Sequence, residues 1–343
     1  MPESPDLAAR PDSAPMNGAA ASPLLEVRDL VVHFPIRGGA PWRESEVVHA
    51  VDGVSFAIRR GETFGLVGES GSGKSTIAKA MLRLCDITAG SIVFEGSELS
   101  SMEGEKLRVL RRDLQAVFQE PWMSLNPRMK VGQIVAEPLI AHGIARSVKQ
   151  AAPRVAELLA LCEMPSDAAG RYPHAFSGGQ QQRIALARAL ALEPKLIVAD
   201  EPTSALDVSI QAQIINLMMD LQAKLGLSYL VISHDLGVIR EIAHRVGVLY
   251  SGKLVELATA ERLFDEPASP YTRALMSASP IPDPHLERTR ERIVLEGEVP
   301  NPIHPPSGCR FHTRCPLAQD TCSVDEPPLE PRGEQHLAAC WFT

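Results

Sequence analysis

The stretch Gly68-Glu-Ser-Gly-Ser-Gly-Lys-Ser-Thr76 decides the fold of this 343-residue chain. It fits a phosphate-binding loop, in which a glycine and four further residues precede Gly-Lys-Ser. The apolar run over residues 62–67 predicts a buried strand before it, and residues 77–82 predict a helix after it. Backbone N–H groups of such a turn and the dipole of the following helix attract an anion. The sequence therefore predicts a nucleoside triphosphate site.

Two side chains of this loop predict specific contacts. Lys74 would neutralise the charge of the β- and γ-phosphates, and the Ser75 hydroxyl would ligate Mg²⁺. The alternative, a tight turn between strand and helix with an exposed lysine, fits the flanking pattern less well. The loop residues predicted to bind ATP are Gly68, Glu69, Ser70, Gly71, Ser72, Gly73, Lys74, Ser75 and Thr76.

A second motif, Leu196-Ile-Val-Ala-Asp200-Glu201, is a short apolar run that ends in two acids. Such a run is typical of a buried parallel strand, which delivers carboxylates to the C-terminal edge of its sheet. We expect Asp200 to hold the Mg²⁺ shell and Glu201 to orient or deprotonate the attacking water. Alone, such a pair often only caps the next element. In a chain that also contains a phosphate-binding loop, the pair of acids predicts hydrolysis of the nucleotide.

The stretch Phe176-Ser-Gly-Gly-Gln-Gln-Gln-Arg183 indicates the class of nucleotidase, and 17 residues separate it from Glu201. It resembles the Leu-Ser-Gly-Gly-Gln signature of the ATP-binding cassette (ABC) family, with Phe176 in place of leucine. A helix after it, over about residues 180–192, would add a second anion site at its N-terminus. The resemblance implies that this site faces the γ-phosphate of an opposite subunit. The residues concerned are Ser177, Gly178, Gly179 and Gln180.

The same resemblance implies roles for three further positions. Gln119 would contact Mg²⁺ and the water and link the site to a permease. The loop Ser204-Ala-Leu-Asp207 would cross the interface between two cassettes, with Asp207 near the nucleotide. His234 would hold the γ-phosphate and the general base. The predicted catalytic residues are therefore Glu201, His234 and Gln119, and the predicted Mg²⁺ ligands are Ser75, Gln119 and Asp200.

The family also places an aromatic ring beneath the adenine base. Phe34 is the predicted stacking residue, and His33 is the alternative.

The resemblance implies an α/β fold, an ABC-type P-loop ATPase core with an antiparallel β layer and a helical subdomain. Residues 1–22 predict a disordered tail, because they are rich in Ala, Pro and Ser and do not fit a signal peptide. We expect the nucleotide-binding domain over 23–263, a helical insert over about 111–189, and a small extension rich in Pro and Cys over 264–343.

The composition limits the kinds of partner and the cellular location that we expect for this protein. A net charge of −8 argues against nucleic acid as a partner, and no apolar run approaches the ~20 residues that cross a bilayer. We expect a peripheral protein on the cytoplasmic face of the inner membrane. The resemblance implies a second cassette subunit, two transmembrane permease subunits and an extracytoplasmic solute-binding protein as partners. The segment 121–128, with Trp122 and Met123, is the expected docking surface.

The C-terminal segment indicates which members of the ABC family the chain resembles. Of the chain's 28 prolines, 13 fall in residues 265–343, together with four of its six cysteines. With the stretches over 119–128 and 269–272, this end is similar to the ATPase subunits of bacterial oligopeptide and dipeptide importers. Nickel or another small solute stays open as the cargo. A soluble ABC ATPase acting on another assembly is the other class, but tandem cassettes and long heptads are absent from the sequence.

The four cysteines of this segment, Cys309, Cys315, Cys322 and Cys340, predict a metal site. Their spacings of five, six and 17 intervening residues match neither the common ferredoxin patterns nor the close cysteine pairs of zinc sites. Some importer ATPases that this end resembles carry an iron–sulfur cluster, so we expect [4Fe–4S], with zinc as the alternative. His312 could replace an idle cysteine.

Overall fold

The computed structural model describes residues 22–36, 46–279 and 292–343, which form two sheets and a group of helices. The strands are β1 (Leu25–Pro35), β2 (Val47–Ile58), β3 (Thr63–Val67), β4 (Ala89–Phe94), β5 (Ser97–Glu98), β6 (Leu114–Val117), β7 (Leu196–Asp200), β8 (Ser228–Ile232), β9 (Arg245–Tyr250), β10 (Lys253–Thr259), β11 (Glu330–Gly333) and β12 (His336–Ala338). The predicted disordered tail, residues 1–22, lies outside the described residues except for its last residue.

The α-helices follow the strands in alternation through much of the chain. They are α1 (Lys74–Met81), α2 (Gly104–Leu110), α3 (Pro121–Ser124), α4 (Val131–Ala141), α5 (Val148–Leu161), α6 (Gly178–Leu190), α7 (Val208–Leu225), α8 (Leu236–Ile242), α9 (Ala260–Asp265), α10 (Pro270–Ala278) and α11 (Asp320–Val324). None of these described helices is long and apolar enough to span a membrane.

The larger sheet has eight strands in the order β11-β12-β10-β9-β3-β8-β7-β6. The strands from β9 to β6 pair in parallel, and β10, β12 and β11 continue the sheet antiparallel. Every residue of β3 and β8 is buried, as expected for central strands covered on both faces. Because parallel strands end at one edge, the loops that follow β3, β6, β7 and β8 gather there.

The smaller sheet is antiparallel, in the order β2-β1-β4-β5. Its apolar face shares one core with the larger sheet and α1. Phe56 of β2 and Phe64 of β3 stack with ring centroids 4.8 Å apart, which joins the two sheets directly. This layer carries the aromatic candidate Phe34 on β1.

A helical region follows β6. Helices α4, α5 and α6 bury an apolar interior that includes Ile134, Leu158 and Ile184. The sequence predicted a mostly helical insert from about residue 111, whereas the structure places Leu114–Val117 in the large sheet, parallel to β7. A four-residue apolar segment has no periodicity that distinguishes a strand from a helix. The helices of this region therefore begin at Pro121.

The C-terminal extension is built into the larger sheet. Strand β12 pairs antiparallel with β10, with Glu256 opposite Ala338. The buried carboxylate of Glu256 contacts the His336 imidazole at 2.7 Å and accepts hydrogen bonds from the N–H groups of Ala268 and Ser269. A buried carboxylate needs such partners, so this cluster ties the extension to the cassette.

Candidate active site

The phosphate loop runs from the end of β3 to the start of α1. Gly68 and Gly73 have φ angles of 150° and 108°, which side-chain-bearing residues rarely adopt. A Cβ at Gly68 would lie 2.1 Å from the carbonyl oxygen of Leu249, and one at Gly73 would lie 2.3 Å from that of Ala50. The backbone path therefore requires glycine at both positions.

Lys74, the first residue of α1, is only 6% exposed. Its Nζ donates to the carbonyl oxygens of Gly68 at 2.7 Å and Glu69 at 2.8 Å, so the ammonium lies inside the loop. Burial lowers the pKa of Lys74, while the charges of Glu201, Asp200 and Glu69 oppose that shift. A buried cation surrounded by backbone oxygens can exchange those partners for phosphate oxygens at little cost.

Ser75 and Asp200 face each other across the same edge. The Ser75 hydroxyl donates to Oδ1 of Asp200 at 3.1 Å. Burial raises the pKa of Asp200, the hydrogen bond from Ser75 lowers it, and the neighbouring Glu201 charge raises it further. A hydroxyl and a carboxylate are oxygen ligands that Mg²⁺ prefers, and a divalent cation would favour the ionised carboxylate.

Glu201 and His234 meet where β7 and β8 end. Nδ1 of His234 lies 3.2 Å from Oε1 of Glu201. The Glu201 backbone has a φ of 49°, which is uncommon for a residue with a side chain, and its N–H donates to the carbonyl of Ile232 at 2.9 Å. The negative charge of the carboxylate acts on both Asp200 and Lys74, so Glu201 belongs to the same group of charges.

Gln119 follows β6, the neighbour of β7, and is exposed. It therefore lies after the strand end at the same edge as Asp200. The expected docking segment, residues 121–128, begins with one helical turn, α3, in which Trp122 and Met123 are exposed.

The signature segment begins helix α6. Ser177 is its N-cap: the Ser177 hydroxyl accepts from the Gln180 N–H, and the Gln180 side chain accepts from the Ser177 N–H at 3.1 Å. A Cβ at Gly179 would lie 2.4 Å from Cγ2 of Ile210, and one at Gly178 would lie 3.2 Å from Leu206. Both glycines thus allow α6 to pack closely on the loop and helix that follow Glu201.

The structure does not bring this segment to the phosphate loop of the same chain. Among the described residues, no hydrogen bond or ion pair joins residues 177–180 to residues 68–76. Asp207, the N-cap of α7, is exposed, and the next residue, Val208, is 82% exposed.

The two candidates for the adenine platform differ in their surroundings. Phe34 is exposed on β1. His33 lies 3.4 Å from Asp52, and its ring centroid is 4.2 Å from that of His49. Successive side chains of a strand point to opposite faces, so Phe34 and His33 cannot serve the same base. Phe34 is the more exposed of the two side chains.

The four cysteines of the extension line one cavity together with His312. All six cysteines of the chain are free thiols. Burial, opposed by a backbone hydrogen bond from Phe311 and assisted by the nearby Cys322, Cys315 and Cys340, raises the pKa of Cys309 to about 11. Burial likewise raises the pKa of Cys315. Four thiols that line one cavity are a donor set that a soft metal centre would accept.

The spacing of these sulfurs bears on zinc. Around a single Zn²⁺ with bonds of about 2.3 Å, tetrahedral sulfurs lie roughly 3.8 Å apart. Among the described residues, the group of three whose ligand atoms lie within 4.8 Å of one another is His33, His49 and Asp52, not the cysteines. In the described part of the chain, no three cysteine sulfurs therefore lie as close together as the ligands of one bound metal ion.

Sequence reasoning missed the contact between the extension and the phosphate loop. Arg314, the residue before Cys315, pairs with Glu69 of the loop, and the Tyr271 hydroxyl accepts the Glu69 N–H. No local pattern announces these contacts, because 245 and 202 positions separate the partners.

Two family models match the chain. One described as "ABC transporter" matches residues 51–204, and one described as "Oligopeptide/dipeptide transporter, C-terminal region" matches residues 255–322. The chain is 50% identical to the oligopeptide transport ATP-binding protein AppF of Bacillus subtilis (strain 168), covering 95% of this chain and 99% of AppF. It is 50% identical to the oligopeptide transport ATP-binding protein OppF of Escherichia coli (strain K12), covering 92% and 95%.

A solved structure agrees with this likeness. The ATP-binding cassette MJ0796, in a dimeric post-hydrolysis state bound to ADP and Pi, has a TM-score of 0.61 and 30% identity, covering 69% of this chain and 98% of that one. Fold and comparisons together define an ATP-hydrolysing enzyme of the ABC transporter family, as predicted. Within that family the chain belongs to the ATP-binding proteins of oligopeptide and dipeptide transporters, which confirms the predicted family.

Proposed function

We propose that this chain is the ATP-hydrolysing subunit of an ABC importer that takes up oligopeptides or dipeptides through a separate permease. One observation carries the proposal: a single sheet edge holds Lys74, the Ser75–Asp200 pair and the Glu201–His234 pair. The match of the C-terminal region to peptide transporters supports the cargo class.

ATP binding follows from the loop geometry. Backbone N–H groups of the phosphate loop other than that of Glu69, which donates to Tyr271, cradle the phosphates, and the Lys74 ammonium exchanges loop carbonyls for β- and γ-phosphate oxygens. Ser75 and Asp200, with Gln119, hold Mg²⁺. Phe34 stacks on adenine from the exposed face of β1.

Hydrolysis follows from the acid–imidazole pair. Glu201 orients the attacking water and accepts its proton, in line with the γ-phosphate. His234, 3.2 Å from Glu201, holds the carboxylate in place and reaches the γ-phosphate from its exposed side.

The second half of each catalytic site comes from another cassette. Ser177, Gly178, Gly179 and Gln180 offer a helix N-terminus to the partner's γ-phosphate, and the loop of Asp207 lies in the interface. Closure of the dimer drives the permease to accept solute from an extracytoplasmic solute-binding protein, and hydrolysis reopens it.

The permease docks on the helical region. Helix α3 presents Trp122 and Met123, of which Met123 is 78% exposed, directly after Gln119. A large exposed apolar pair on a monomer marks an interaction site. We infer that two transmembrane subunits bind here and keep the chain peripheral at the cytoplasmic face of the inner membrane, without nucleic acid as a partner.

The four cysteines hold a [4Fe–4S] cluster. Four thiols line one cavity, and four thiolates are the number that such a cluster needs. The cluster supplies a structural crosslink, or a redox-sensitive one, for a segment with few apolar residues of its own. Nδ1 of His312 donates to the Cys309 carbonyl at 2.8 Å, which leaves Nε2 free to replace an idle cysteine.

The test is transport by the assembled complex. The chain is co-expressed with its two permease subunits, reconstituted in proteoliposomes with the binding protein, and supplied with ATP. We expect uptake of labelled peptides, and no uptake with Lys74→Ala, whose ATP affinity should fall by roughly 10–100-fold. ATP-dependent uptake of nickel without peptide uptake would show that peptides are not the cargo. Transport by the Lys74→Ala complex would show that the proposed ATP site is wrong.

A further inference from the structure

Glu69, the second residue of the phosphate loop, is held by the C-terminal extension. Its N–H donates to the Tyr271 hydroxyl at 2.9 Å. Its carboxylate accepts from the Arg314 guanidinium, with Nη1–Oε2 at 2.8 Å and Nη2–Oε1 at 3.3 Å. Its carbonyl accepts from Lys74 at 2.8 Å. All three polar groups of Glu69 are therefore fixed, and the two-point guanidinium contact also fixes the carboxylate plane.

The side chains that hold Glu69 are themselves packed. The rings of Tyr250, Tyr271 and Phe311 meet edge to face, with centroids 4.6, 5.2 and 5.3 Å apart. Phe311 belongs to the cysteine-bearing segment, and Tyr271 is fully buried on α10. The Arg314 side chain is only 9% exposed. The extension thus presents a rigid support to the loop rather than a mobile arm.

A second connection runs through the turn between β9 and β10. Arg310 donates to the Ser251 carbonyl at 2.5 Å and pairs with Asp52. The N–H of Gly252 donates to the Ser72 carbonyl at 2.8 Å. The extension therefore reaches the phosphate loop directly at Glu69 and indirectly, through the turn between β9 and β10, at Ser72.

The charges of Glu69 and Arg314 explain how this contact would assist ATP binding. A carboxylate within a loop that receives a triphosphate repels the ligand, and the repulsion is strong where water is partly excluded. Arg314 supplies the opposite charge at hydrogen-bonding distance from Glu69. Once Arg314 neutralises Glu69, the groups of the loop that remain to attract the triphosphate are its N–H groups and the Lys74 ammonium.

We propose that Arg314 and Tyr271 are positioning residues for ATP: Arg314 neutralises and orients Glu69, and Tyr271 fixes the Glu69 N–H. The inference rests on the proposed phosphate loop. It makes the extension part of the nucleotide site and not a separate appendage.

The test compares ATP binding by chains purified anaerobically, so that the four-cysteine site is treated alike in each. Arg314→Gln leaves the Glu69 charge uncompensated and should raise the Kd for ATP by roughly tenfold. The KM for ATP of the assembled complex should rise with little change in kcat, because the lost interaction is made equally in the ground and transition states. Tyr271→Phe keeps the aromatic packing and should raise the Kd by about threefold.

A rescue experiment distinguishes the loss of charge compensation at Glu69 from a folding defect. The double variant Glu69→Gln/Arg314→Gln removes the repulsive carboxylate and should bind ATP within about threefold of the natural chain. Arg273→Gln is the matched control, since Arg273 lies on α10 and its guanidinium contacts the Pro267 carbonyl instead of the loop. A folded Arg314→Gln chain with unchanged Kd, or a double variant as weak as the single one, would overturn the proposal.

Lys74→Ala distinguishes failure of the inference from failure of the proposed site. If Lys74→Ala binds ATP normally, the phosphate loop itself is misassigned. If Lys74→Ala loses ATP while Arg314→Gln and Tyr271→Phe keep it, the inference alone fails.

Discussion

Nδ1 of His234 lies 3.2 Å from Oε1 of Glu201, so the ends of two neighbouring parallel strands share one acid–imidazole contact. Glu201 has the left-handed φ of 49°, and the Ser204 hydroxyl donates to its carbonyl at 3.2 Å. Such backbone conformations cost about 1–3 kcal/mol and persist where the surroundings enforce them. Here the strain falls on a carboxylate whose charge acts on Asp200 of the Ser75–Asp200 pair, and this carboxylate is the base that we propose.

Glu201→Gln should leave ATP binding nearly unchanged, because the phosphate loop and Asp200 are untouched. Hydrolysis should slow by about 10²–10⁴-fold, since the amide cannot accept the proton. The measurement is single-turnover hydrolysis alongside nucleotide binding, with the site of the partner cassette disabled by its own lysine substitution. A near-natural hydrolysis rate in that assembly would show that another group is the base.

Asp200→Asn should stabilise the nucleotide-free chain at neutral pH. Burial raises the pKa of Asp200 in the folded state, so its contribution to stability is present below the unfolded pKa and is lost as the pH rises through the folded one. Asparagine avoids that loss, and Tm should rise by roughly 2–4 °C at pH 7–8, with the difference shrinking toward pH 4.

Thermal unfolding without Mg²⁺ or nucleotide measures this effect. Asp220→Asn, on the exposed face of α7, is the control and should not change Tm. Added Mg²⁺ and ATP should reverse the order, because they should stabilise the natural chain more than the variant, which lacks one proposed Mg²⁺ ligand. An asparagine variant that is less stable at every pH would mean that Asp200 is held by a favourable interaction instead of being destabilised by burial.

Ser177→Arg should spare ATP binding by the isolated chain and block ATP-driven dimerisation. The bulky cation occupies a helix N-terminus that must approach a phosphate closely. Nucleotide affinity and sedimentation are measured on the same protein, in the Glu201→Gln background so that ATP persists.

Ser147→Arg provides the matched control, because Ser147 caps α5 in the same way and its hydroxyl accepts from the Gln150 N–H at 3.3 Å. Both substitutions lose a cap, which costs about 1 kcal/mol. Only the one at Ser177 should prevent dimerisation. Loss of ATP affinity in the isolated Ser177→Arg chain, with dimerisation intact, would contradict a role toward the opposite subunit.

The phosphate loop, the acidic strand end and the signature helix could be predicted because each is encoded locally. Gly68 and Gly73 have no room for a Cβ, and residues 63–67 form a buried strand with no polar alternation. The position of Ser177 before α6 follows from capping chemistry, which the sequence states directly.

Long-range pairing could not be predicted. Glu256 gives no local sign that His336 lies 2.7 Å away, and β12 joins β10 across about 80 residues. The pairing of Arg314 with Glu69 is of the same kind, since two charged residues have many possible partners. Short segments fail for another reason: β6 and α3 have four residues each, too few for either period to be recognised.

The four cysteines of the extension make the last prediction: anaerobically purified protein should contain iron and sulfide. It should be brown, with broad absorbance near ~400 nm, as iron–sulfur chemistry generally gives. Cys315→Ser removes one thiolate and should lower both the iron content and the absorbance.

Cys85→Ser is the control, because Cys85 packs against the core of the smaller sheet and does not line the cysteine cavity. Colourless protein with stoichiometric zinc and no iron would replace the cluster by zinc. That result would leave the ATP site intact, because the pairs Ser75–Asp200 and Glu201–His234 share no residue with the cysteine cavity.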